Sequence, residues 1–564
     1  MQHPPKRPSA AQPGSTIPPA ALCAMQSALA AHKAGQHTDA IRGYRQALKH
    51  APGLPEAHYN LGILLKAAGQ SRAAERALGD AVRLRPSYQR AHVALADLFD
   101  RSGNAAKALR HRLDAYRLTP DDPGVLSGLV ARLGSMRFSQ ADPRLAEIVA
   151  ELLRRDDVEG QRLAPAALSL LALDEHIAMA LRTSDPGALS QTDPPPLLLA
   201  LLERAIIAEP AWERLLTRLR AELLRDFAGL DDRRARLAQA LAAQMLATDY
   251  AYAVSPAEAI AVAELQTVGP VLTPDHLRHA LYEPLASSEP PTDLPAAWID
   301  FVETHIARPR AEQAAAAAIE TLTPIEDQTS QAVRDQYTAL PYPRWLATRA
   351  IAAQPRRTIL QGMLSANPPL SRPPDPRPLQ VLVAGCGTGK HAVDVATRFA
   401  DAKVLAVDLS RRSLGYAQRQ AERLRDPRLA KDRLRFAEAD ILALGSLQDR
   451  FDHIEAMGVL HHLADPLDGW QVLCHLLKPD GTMRIGLYSR RGRAAIQAAQ
   501  RIANDFARDA QGLRSLRQAI LALPSDHPAA PVRKGLDFYT LNGARDTLAH
   551  AQEHDFTLPE IGAL

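Results

Sequence analysis

The chain has 564 residues, a length typical of about three domains, and its 67 basic and 63 acidic side chains nearly balance at a formal net charge of +4. A nucleic-acid-binding protein usually concentrates basic residues on one face, and nothing in this balance points to such a face. We therefore predict no nucleic-acid site.

The cysteines and the apolar runs limit the cellular compartments in which we expect the protein. Only Cys23, Cys386 and Cys474 occur, far apart in the chain, which excludes a disulfide framework and matches no metal-ligand spacing. No apolar run approaches the ~18–20 residues that cross a bilayer. Prolines interrupt the N-terminus, so we expect no signal peptide, a disordered Pro-rich segment over residues 1–20, and a cytoplasmic location.

The first part of the chain repeats with a period of 34 residues. The recurring residues are one glycine, two alanines and one proline per repeat: Gly35, Gly69 and Gly103; Ala40, Ala74 and Ala108; Ala47, Ala81 and Ala115; Pro52, Pro86 and Pro120. Small alanines allow two helices to approach closely, glycine relieves the turn between them, and proline ends the second helix. The pattern resembles the tetratricopeptide repeat (TPR), which implies a helical solenoid.

We predict three TPR units over residues 21–122, with departures from the repeat pattern at Ala31 and Arg112. A fourth unit fails, because residues 137, 142 and 154 are not glycine, alanine and proline. A TPR groove implies a protein or peptide partner, and the alternative is a structural spacer or self-association surface.

The middle, residues 123–330, shows helical apolar spacing in stretches such as 198–223 and 230–246, which predicts an α-helical region. We predict no metal site there. His176 follows Asp174 and Glu175, but adjacent residues do not face one another on a helix.

An aromatic and proline-rich strap and linker follows over residues 331–378. Tyr337, Tyr342 and Trp345 stand out in a chain with 5% aromatic residues. One interpretation is a rigid strap packed on the next domain, and the other is a lid in which Tyr342 or Trp345 lines a substrate pocket. The prolines of residues 368–378 indicate an extended linker.

From residue 379 the pattern alternates between strands and helices. A buried strand at 381–384 runs into Gly385-Cys386-Gly387-Thr388-Gly389, and a second at 404–407 ends in Asp408. This alternation predicts a parallel α/β sheet.

Five elements in order resemble the class I S-adenosylmethionine-dependent methyltransferases. They are the G-x-G-x-G loop, Asp408, Asp440 after a third strand, the strand and turn at 451–463, and the turn at 478–481 leading into a fifth strand. The resemblance implies a Rossmann-like methyltransferase domain over residues 379–564, with a helical insertion at about 490–535.

The resemblance also implies the cofactor S-adenosylmethionine and its contacts. Asp408 would accept hydrogen bonds from the ribose hydroxyls, and Asp440 would accept one from the adenine amine. The implied cofactor positions are Gly385, Cys386, Gly387, Thr388, Gly389, Asp408, Leu409, Asp440, Ile441 and Gly458. Val383 departs from the acidic residue that the family often has there, which removes one contact near the cofactor's amino group. Cys386 fills a small-residue position, and we predict no nucleophilic role for it.

The candidate catalytic residues are His461 and His462, because histidine suits proton removal near neutral pH, although a structural role is the alternative. The candidate substrate pocket comprises Tyr342, Trp345 and Tyr488. Three arginines, Arg490, Arg491 and Arg493, follow the fifth strand. They could bind an anionic methyl acceptor, and the alternative is that they lie in a solvated loop. After helices at 494–523 and 544–550, residues 556–558 predict a strand. The family has two more strands, so the sheet is incomplete or the sequence truncated.

The predicted function is an S-adenosylmethionine-dependent methyltransferase whose TPR array recruits a protein substrate or partner. The alternatives are a small-molecule O- or N-methyltransferase and a non-catalytic TPR scaffold with an inactive domain. An NAD-dependent oxidoreductase is disfavoured by the glycine spacing. No Asn/Asp-Pro-Pro-Tyr motif follows the fourth strand, which disfavours nucleobase amines and glutamine amides as acceptors.

Overall fold

The computed structural model describes residues 17–190, 193–225, 232–267, 272–285, 294–348, 353–363 and 377–563. The chain divides into two compact units, residues 1–136 and 137–564. Most of the predicted N-terminal disordered segment and most of the predicted Pro-rich linker lie outside the described residues. In the described part of the chain, no single helix has the length and apolarity to cross a membrane. One bent pair, Ala164–Leu171 with Glu175–Thr183, meets those criteria only when its halves are taken together.

The first unit is a run of antiparallel helices, which confirms the predicted TPR solenoid. Its helices are α1 (Pro19–Lys33), α2 (His37–His50), α3 (Pro55–Ala67), α4 (Ser71–Leu84), α5 (Gln89–Arg101), α6 (Ala105–Leu118) and α7 (Pro123–Gly134). The last of these packs on α6 and closes the array.

The repeated residues have the same role in each TPR unit. Gly35, Gly69 and Gly103 have φ of +73°, +73° and +74°, a left-handed conformation that glycine adopts without strain. All six repeated alanines are fully buried between helices. The period of 34 therefore encodes one geometry three times.

Arg112, which departs from the repeat pattern, is held by ion pairs. Its guanidinium lies 2.7 Å from Asp97 and 3.1 Å from Asp100. Lys66 also pairs with Asp97 at 3.3 Å, and Arg132 of α7 with Asp100 at 2.9 Å. A charged network thus takes the place of an apolar contact next to the closing helix.

The second unit begins with helices around a core rich in leucine and alanine. They are α8 (Pro143–Arg154), α9 (Ala164–Leu171), α10 (Glu175–Thr183), α11 (Gly187–Ser190), α12 (Pro196–Arg204), α13 (Pro210–Arg225), α14 (Asp232–Ala247), α15 (Pro256–Ala263), α16 (Pro274–Ala280), α17 (Ile299–Val302), α18 (Arg308–Ala317), α19 (Gln328–Ala339) and α20 (Arg356–Met363). This largely confirms the predicted helical middle region.

The second unit also contains a parallel sheet of six strands, in the order β1-β4-β3-β2-β5-β6. The strands are β1 (Glu320–Thr321), β2 (Leu379–Ala384), β3 (Ala402–Asp408), β4 (Leu434–Glu438), β5 (Phe451–Met457) and β6 (Leu477–Gly486). The helices that connect and follow them are α21 (Lys390–Arg398), α22 (Arg411–Arg423), α23 (Pro466–Leu476), α24 (Ala494–Ala503), α25 (Ala510–Leu521), α26 (Leu541–Leu548) and α27 (Leu558–Ala563). The sheet confirms the predicted Rossmann-like architecture.

The structure corrects the predicted sheet at both edges. Strand β1, within the region predicted as helical, pairs with β4, and the Leu322 N–H donates to the Glu438 carbonyl at 2.9 Å. The strand predicted at 556–558 is wrong: Phe556 forms an isolated bridge to Ser489, and α27 follows. The Thr557 hydroxyl and the Glu560 carboxylate form a reciprocal cap at the start of α27, a helix signal that competes with the strand pattern.

Candidate active site

A cavity of about 480 Å³ opens at the carboxyl ends of the strands, within the size range of ligand pockets. Residues that follow each of the strands β2 to β6 reach its wall, where parallel sheets bind ligands. The predicted site residues in the wall are Tyr342, Gly385, Cys386, Asp408, Leu409, Asp440, Ile441, Gly458, His462 and Tyr488.

The glycine loop, residues 385–389, forms part of the cavity wall and holds it in place. Gly385 has φ +69°, and a Cβ built there would lie 2.3 Å from a Val459 methyl group. The Gly387 N–H donates to Asp408 Oδ2 at 2.8 Å. Thr388 is fully buried, and its hydroxyl donates to the Pro343 carbonyl. Gly387, Thr388 and Gly389 lie outside the cavity wall and fix the loop that Gly385 and Cys386 expose.

Two carboxylates lie at the predicted cofactor positions. Asp408 Oδ1 accepts from the Ser410 N–H at 2.9 Å, and Asp440 Oδ1 from the Leu442 N–H at 3.0 Å. Burial raises the pKa of both carboxyls, against the backbone hydrogen bonds that lower it. Thr323, just after β1, accepts from the Asp440 N–H at 2.9 Å and so helps to place Asp440.

The strap, which lies between β1 and β2, contributes Tyr337 and Tyr342 to the cavity and Trp345 to the core. Tyr342 lines the cavity, and its hydroxyl donates to Asp537 Oδ1 at 2.9 Å. The Trp345 side chain is buried away from the wall, where its indole N–H donates to the Thr388 carbonyl at 2.8 Å. Trp345 therefore acts as an anchor for the glycine loop instead of a pocket residue.

The two histidines have different surroundings. His461 is fully buried outside the cavity wall, stacked on Tyr488 with ring centroids 3.6 Å apart. Burial lowers its pKa to about 2, and its ring nitrogens have no hydrogen-bond partner among the described residues. His462 lines the cavity, its Nδ1 lies 2.8 Å from the Gln552 carbonyl, and burial lowers its pKa to about 4.

The arginines after the fifth predicted strand pair within the chain. Arg490 bonds to Asp555 at 2.8 Å, and Arg493 bonds to Glu553 at 2.8 Å and lies 3.8 Å over the Tyr488 ring. These pairings leave both guanidiniums engaged with acidic side chains of the C-terminal segment.

Sequence reasoning missed Asp546 as a site residue. It lines the cavity next to Tyr337, whose hydroxyl donates to Asp546 Oδ1 at 2.6 Å across 209 residues of sequence. His550 lies 3.1 Å from the same hydroxyl. The spacing of four between Asp546 and His550 was a usable signal for two side chains near each other, but nothing local connected them with Tyr337.

A buried acid lies beside the position where Val383 departs from the family. Glu455 on β5 is paired in register with Val383 and is fully buried. Burial alone would raise its pKa, but hydrogen bonds from His391 at 2.6 Å and His453 at 3.3 Å hold that pKa well below the usual range. His391 lines the cavity, so the chain has a carboxylate–imidazole pair next to the glycine loop.

Comparison with known proteins gives matches to both units. The model of a methyltransferase domain matches residues 381–481, and that of a tetratricopeptide repeat matches residues 31–83. An uncharacterised protein of Synechococcus is 32% identical over 188 residues, covering 31% of this chain and 40% of that protein. A ubiquinone biosynthesis O-methyltransferase of Leptothrix cholodnii is 31% identical over 121 residues, covering 21% and 48%. The chain thus spans about half the length of the curated relatives it matches, or less.

Solved structures with local similarity include PKMT2 from Rickettsia typhi in complex with AdoHcy, at 20% identity and a TM-score of 0.23, covering 29% of this chain and 32% of that one. The first TPR of Spaghetti bound to an HSP90 peptide is also 20% identical, with a TM-score of 0.19, covering 20% and 87%. Together with the geometry above, the two family matches show that this chain joins tetratricopeptide repeats to a methyltransferase domain.

Proposed function

We propose that the second unit is an S-adenosylmethionine-dependent methyltransferase that binds its cofactor in the cavity. The observation that supports this most strongly is that Gly385, Asp408 and Asp440 all line the same cavity of about 480 Å³. These residues come from three different strand ends, the arrangement that parallel sheets use for ligands.

The residues fit this cofactor by the chemistry of their donors and acceptors. No lysine or arginine within the described residues lies at ion-pair distance from Asp408 or Asp440. Each carboxylate oxygen has lone pairs beyond those used by the backbone N–H groups, so ribose hydroxyls at Asp408 and an adenine amine at Asp440 would find acceptors. The exposed backbone at Gly385 and Cys386 allows close approach of the methionine portion.

When bound, the cofactor supplies a methyl group on a positively charged sulfur. The chain's own residues would orient the acceptor and exclude water, which accounts for much of the rate in such displacements. Tyr337 and Tyr342 cover the cavity from the strap side. His462 is neutral at pH 7, because burial lowers its pKa to about 4, and one of its ring nitrogens can therefore accept a hydrogen bond from the methyl acceptor. We leave His461 and Trp345 out of the proposed site.

We further propose that the TPR unit recruits a protein substrate or a partner of the enzyme. Support comes from the repeated geometry of the first unit, since stacked repeats form an extended surface suited to a peptide. A reducing compartment such as the cytoplasm remains our expectation for the location, since all three cysteines are free.

The cofactor assignment is tested by calorimetric titration of S-adenosylhomocysteine into the full chain. Asp408→Asn removes the charged acceptor and should weaken binding by about tenfold or more. The matched control is Asp401→Asn, an exposed side chain just before the opposite end of β3, which should bind like the wild type. Saturating ligand at 100 times Kd should also add about 2.7 kcal/mol to the free energy of unfolding. A wild-type chain that does not bind would contradict the enzyme proposal and favour the scaffold alternative.

A further inference from the structure

A group of polar side chains in and behind the cavity wall is not used by the proposed cofactor contacts. This acceptor cluster consists of Tyr337 on α19, His462 in the turn after β5, Asp546 on α26, and His550 just after α26. Tyr337, His462 and Asp546 reach the cavity. The cluster therefore forms a second polar surface of the same cavity.

Asp546 is a buried carboxyl without a counter-ion. It is 4% exposed, and no lysine or arginine in the described part of the chain lies within ion-pair distance of it. Tyr337 donates to Oδ1, whereas Oδ2 accepts no hydrogen bond from the described residues. Burial raises the pKa of Asp546 to about 7. A buried charge without a partner is costly, and such groups concentrate at functional sites.

The hydrogen bonds behind Asp546 determine which groups donate and which accept in this cluster. The Gln552 N–H donates to His550 Nδ1 at 3.0 Å, so neutral His550 has its proton on Nε2. That Nε2–H donates to the Tyr337 oxygen at 3.1 Å, and Tyr337 in turn donates to Asp546. Asp546 is thereby held as an acceptor with one oxygen free toward the cavity.

His462 adds a second acceptor. Its Nδ1–H donates to the Gln552 carbonyl at 2.8 Å, which leaves Nε2 without a proton. Burial keeps the ring neutral by lowering its pKa to about 4. The cluster thus offers two hydrogen-bond acceptors to a bound molecule, Asp546 Oδ2 and His462 Nε2.

The surrounding charges leave the cluster net negative. Asp537 is a second carboxyl whose pKa burial raises, and among the described residues its side chain accepts a hydrogen bond only from the Tyr342 hydroxyl, at 2.9 Å. Arg493, whose charge lowers the pKa of Asp546, already pairs with Glu553 at 2.8 Å. Two carboxyls in an apolar setting without matching cations favour a positively charged ligand, and tyrosine rings favour one as well.

We propose that the acceptor cluster binds a primary amine as its ammonium form, with Asp546 as the residue that holds it and takes its proton. This inference rests on the proposed methyltransferase function and names its acceptor class. One proton moves from the ammonium to Asp546. The nitrogen lone pair then forms the bond to the methyl carbon as the carbon–sulfur bond breaks, and that bond's electron pair stays on sulfur. The products are a methylated ammonium and a neutral thioether.

A metal ion would be a different occupant, since ligand atoms of His462, Asp546 and His550 lie within 4.8 Å of one another. The hydrogen bonds disfavour it. His550 Nδ1 accepts the Gln552 N–H, so the Nε2 that faces Tyr337 has a proton instead of a lone pair. A ligating histidine normally has the reverse arrangement.

The test uses the full chain saturated with S-adenosylhomocysteine and two probes of the same shape, benzylammonium and benzyl alcohol. Saturation-transfer NMR titrations at pH 8 measure their binding. We expect benzylammonium to bind at least about tenfold more tightly than benzyl alcohol, and Asp546→Asn to remove that difference. Asp526→Asn, at an exposed position, is the matched control.

The pH dependence gives a second readout. Benzylammonium stays protonated between pH 5 and 8, so its binding should strengthen as Asp546 ionises near pH 7. The other titratable or charged groups that interact with Asp546 are Tyr337, Tyr342, His462, Tyr488, Arg493, Asp537, His550 and Glu553. Asp546→Asn should flatten this dependence, which a merely structural role of Asp546 would not explain.

Several results would overturn the proposal. They are equal binding of the two probes, binding of neither, or an ammonium preference that survives in Asp546→Asn. Zinc that binds with micromolar affinity and requires His462 and His550 would assign the cluster to a metal. Each of these leaves binding of S-adenosylhomocysteine intact, whereas failure of the methyltransferase proposal would abolish that binding in the wild type.

Discussion

The two compact units differ in how their sequences encode a functional surface. In the TPR unit, Gly35, Gly69 and Gly103 share one backbone conformation, so the same short sequence pattern forms the same turn three times. In the second unit, the cavity joins Tyr337 to Asp546 across 209 residues, and no local pattern repeats. The local structure of a repeat can be predicted from its sequence, whereas a site assembled by tertiary packing can be identified only once the fold is known.

Gly69 and Gly385 allow the sharpest version of this comparison, because their φ angles are nearly equal at +73° and +69°. Alanine at Gly385 should destabilise the second unit by about 2–5 kcal/mol, the sum of left-handed strain and overlap with Val459. Cofactor binding should be lost with it. All four tryptophans lie in the second unit, so denaturant unfolding followed by tryptophan fluorescence measures this unit alone.

A loss of only about 1–2 kcal/mol in the free energy of unfolding, the cost of the left-handed backbone alone, would show that Val459 can move aside. The control for fold integrity is the far-UV circular dichroism of the same variant.

Asp546 gives a prediction about stability and pH. Burial raises its pKa to about 7 in the folded state, above the ~3.9 of an unfolded aspartate, so the native state binds the extra proton. Stability is therefore lost as pH rises between these two values. Asp546→Asn removes the effect, and its stability advantage over the wild type should grow by about 2 kcal/mol from pH 5 to pH 8. Urea unfolding by tryptophan fluorescence at both pH values measures it.

The exposed Asp526→Asn should show no such growth. An advantage for Asp546→Asn that is constant with pH would mean that the carboxyl is already ionised at pH 5.

Much of the fold could be predicted from sequence, because its signals are local. The glycine loop, the strand ends at Asp408 and Asp440, and the repeat were all visible in short windows. The edge strand β1 has only two residues, Glu320 and Thr321, and pairs with a strand more than 100 residues later, so no periodicity could show it.

The site was less predictable for the same reason. His461 and His462 are adjacent in sequence, yet one stacks behind Tyr488 and the other reaches the cavity. Which of two neighbours faces a pocket depends on packing against β6 and the C-terminal segment. Asp546 could not be found from sequence, because its partner, Tyr337, lies 209 residues earlier in the chain, between β1 and β2.

Gly69→Ala is the counterpart of the Gly385 variant. A Cβ at Gly69 meets nothing within 4 Å, so the cost is the left-handed backbone alone, about 1–2 kcal/mol. Hydrogen exchange of residues 17–136 measures it, and tryptophan unfolding should be unchanged. The equivalent changes at Gly35 and Gly103 should cost the same, since both also face open space. Unequal costs at the three glycines would break the view that the repeat encodes one geometry.

Arg112 yields the smallest expected effect and tests one of the two positions that depart from the repeat pattern. Arg112→Leu restores an apolar residue and removes one cation from the network, but Asp97 keeps Lys66 and Asp100 keeps Arg132. Because Asp97 and Asp100 are about a third exposed, their ion pairs with Arg112 contribute little net free energy. We therefore expect a change below about 1 kcal/mol in the free energy of unfolding of this unit, measured by hydrogen exchange. Asp100→Ala should cost at least twice as much, because it leaves Arg112 and Arg132 next to each other without their shared carboxylate. If Arg112→Leu were the more damaging variant, the network itself would be what closes the array against α7, and the repeat pattern alone would no longer explain the unit.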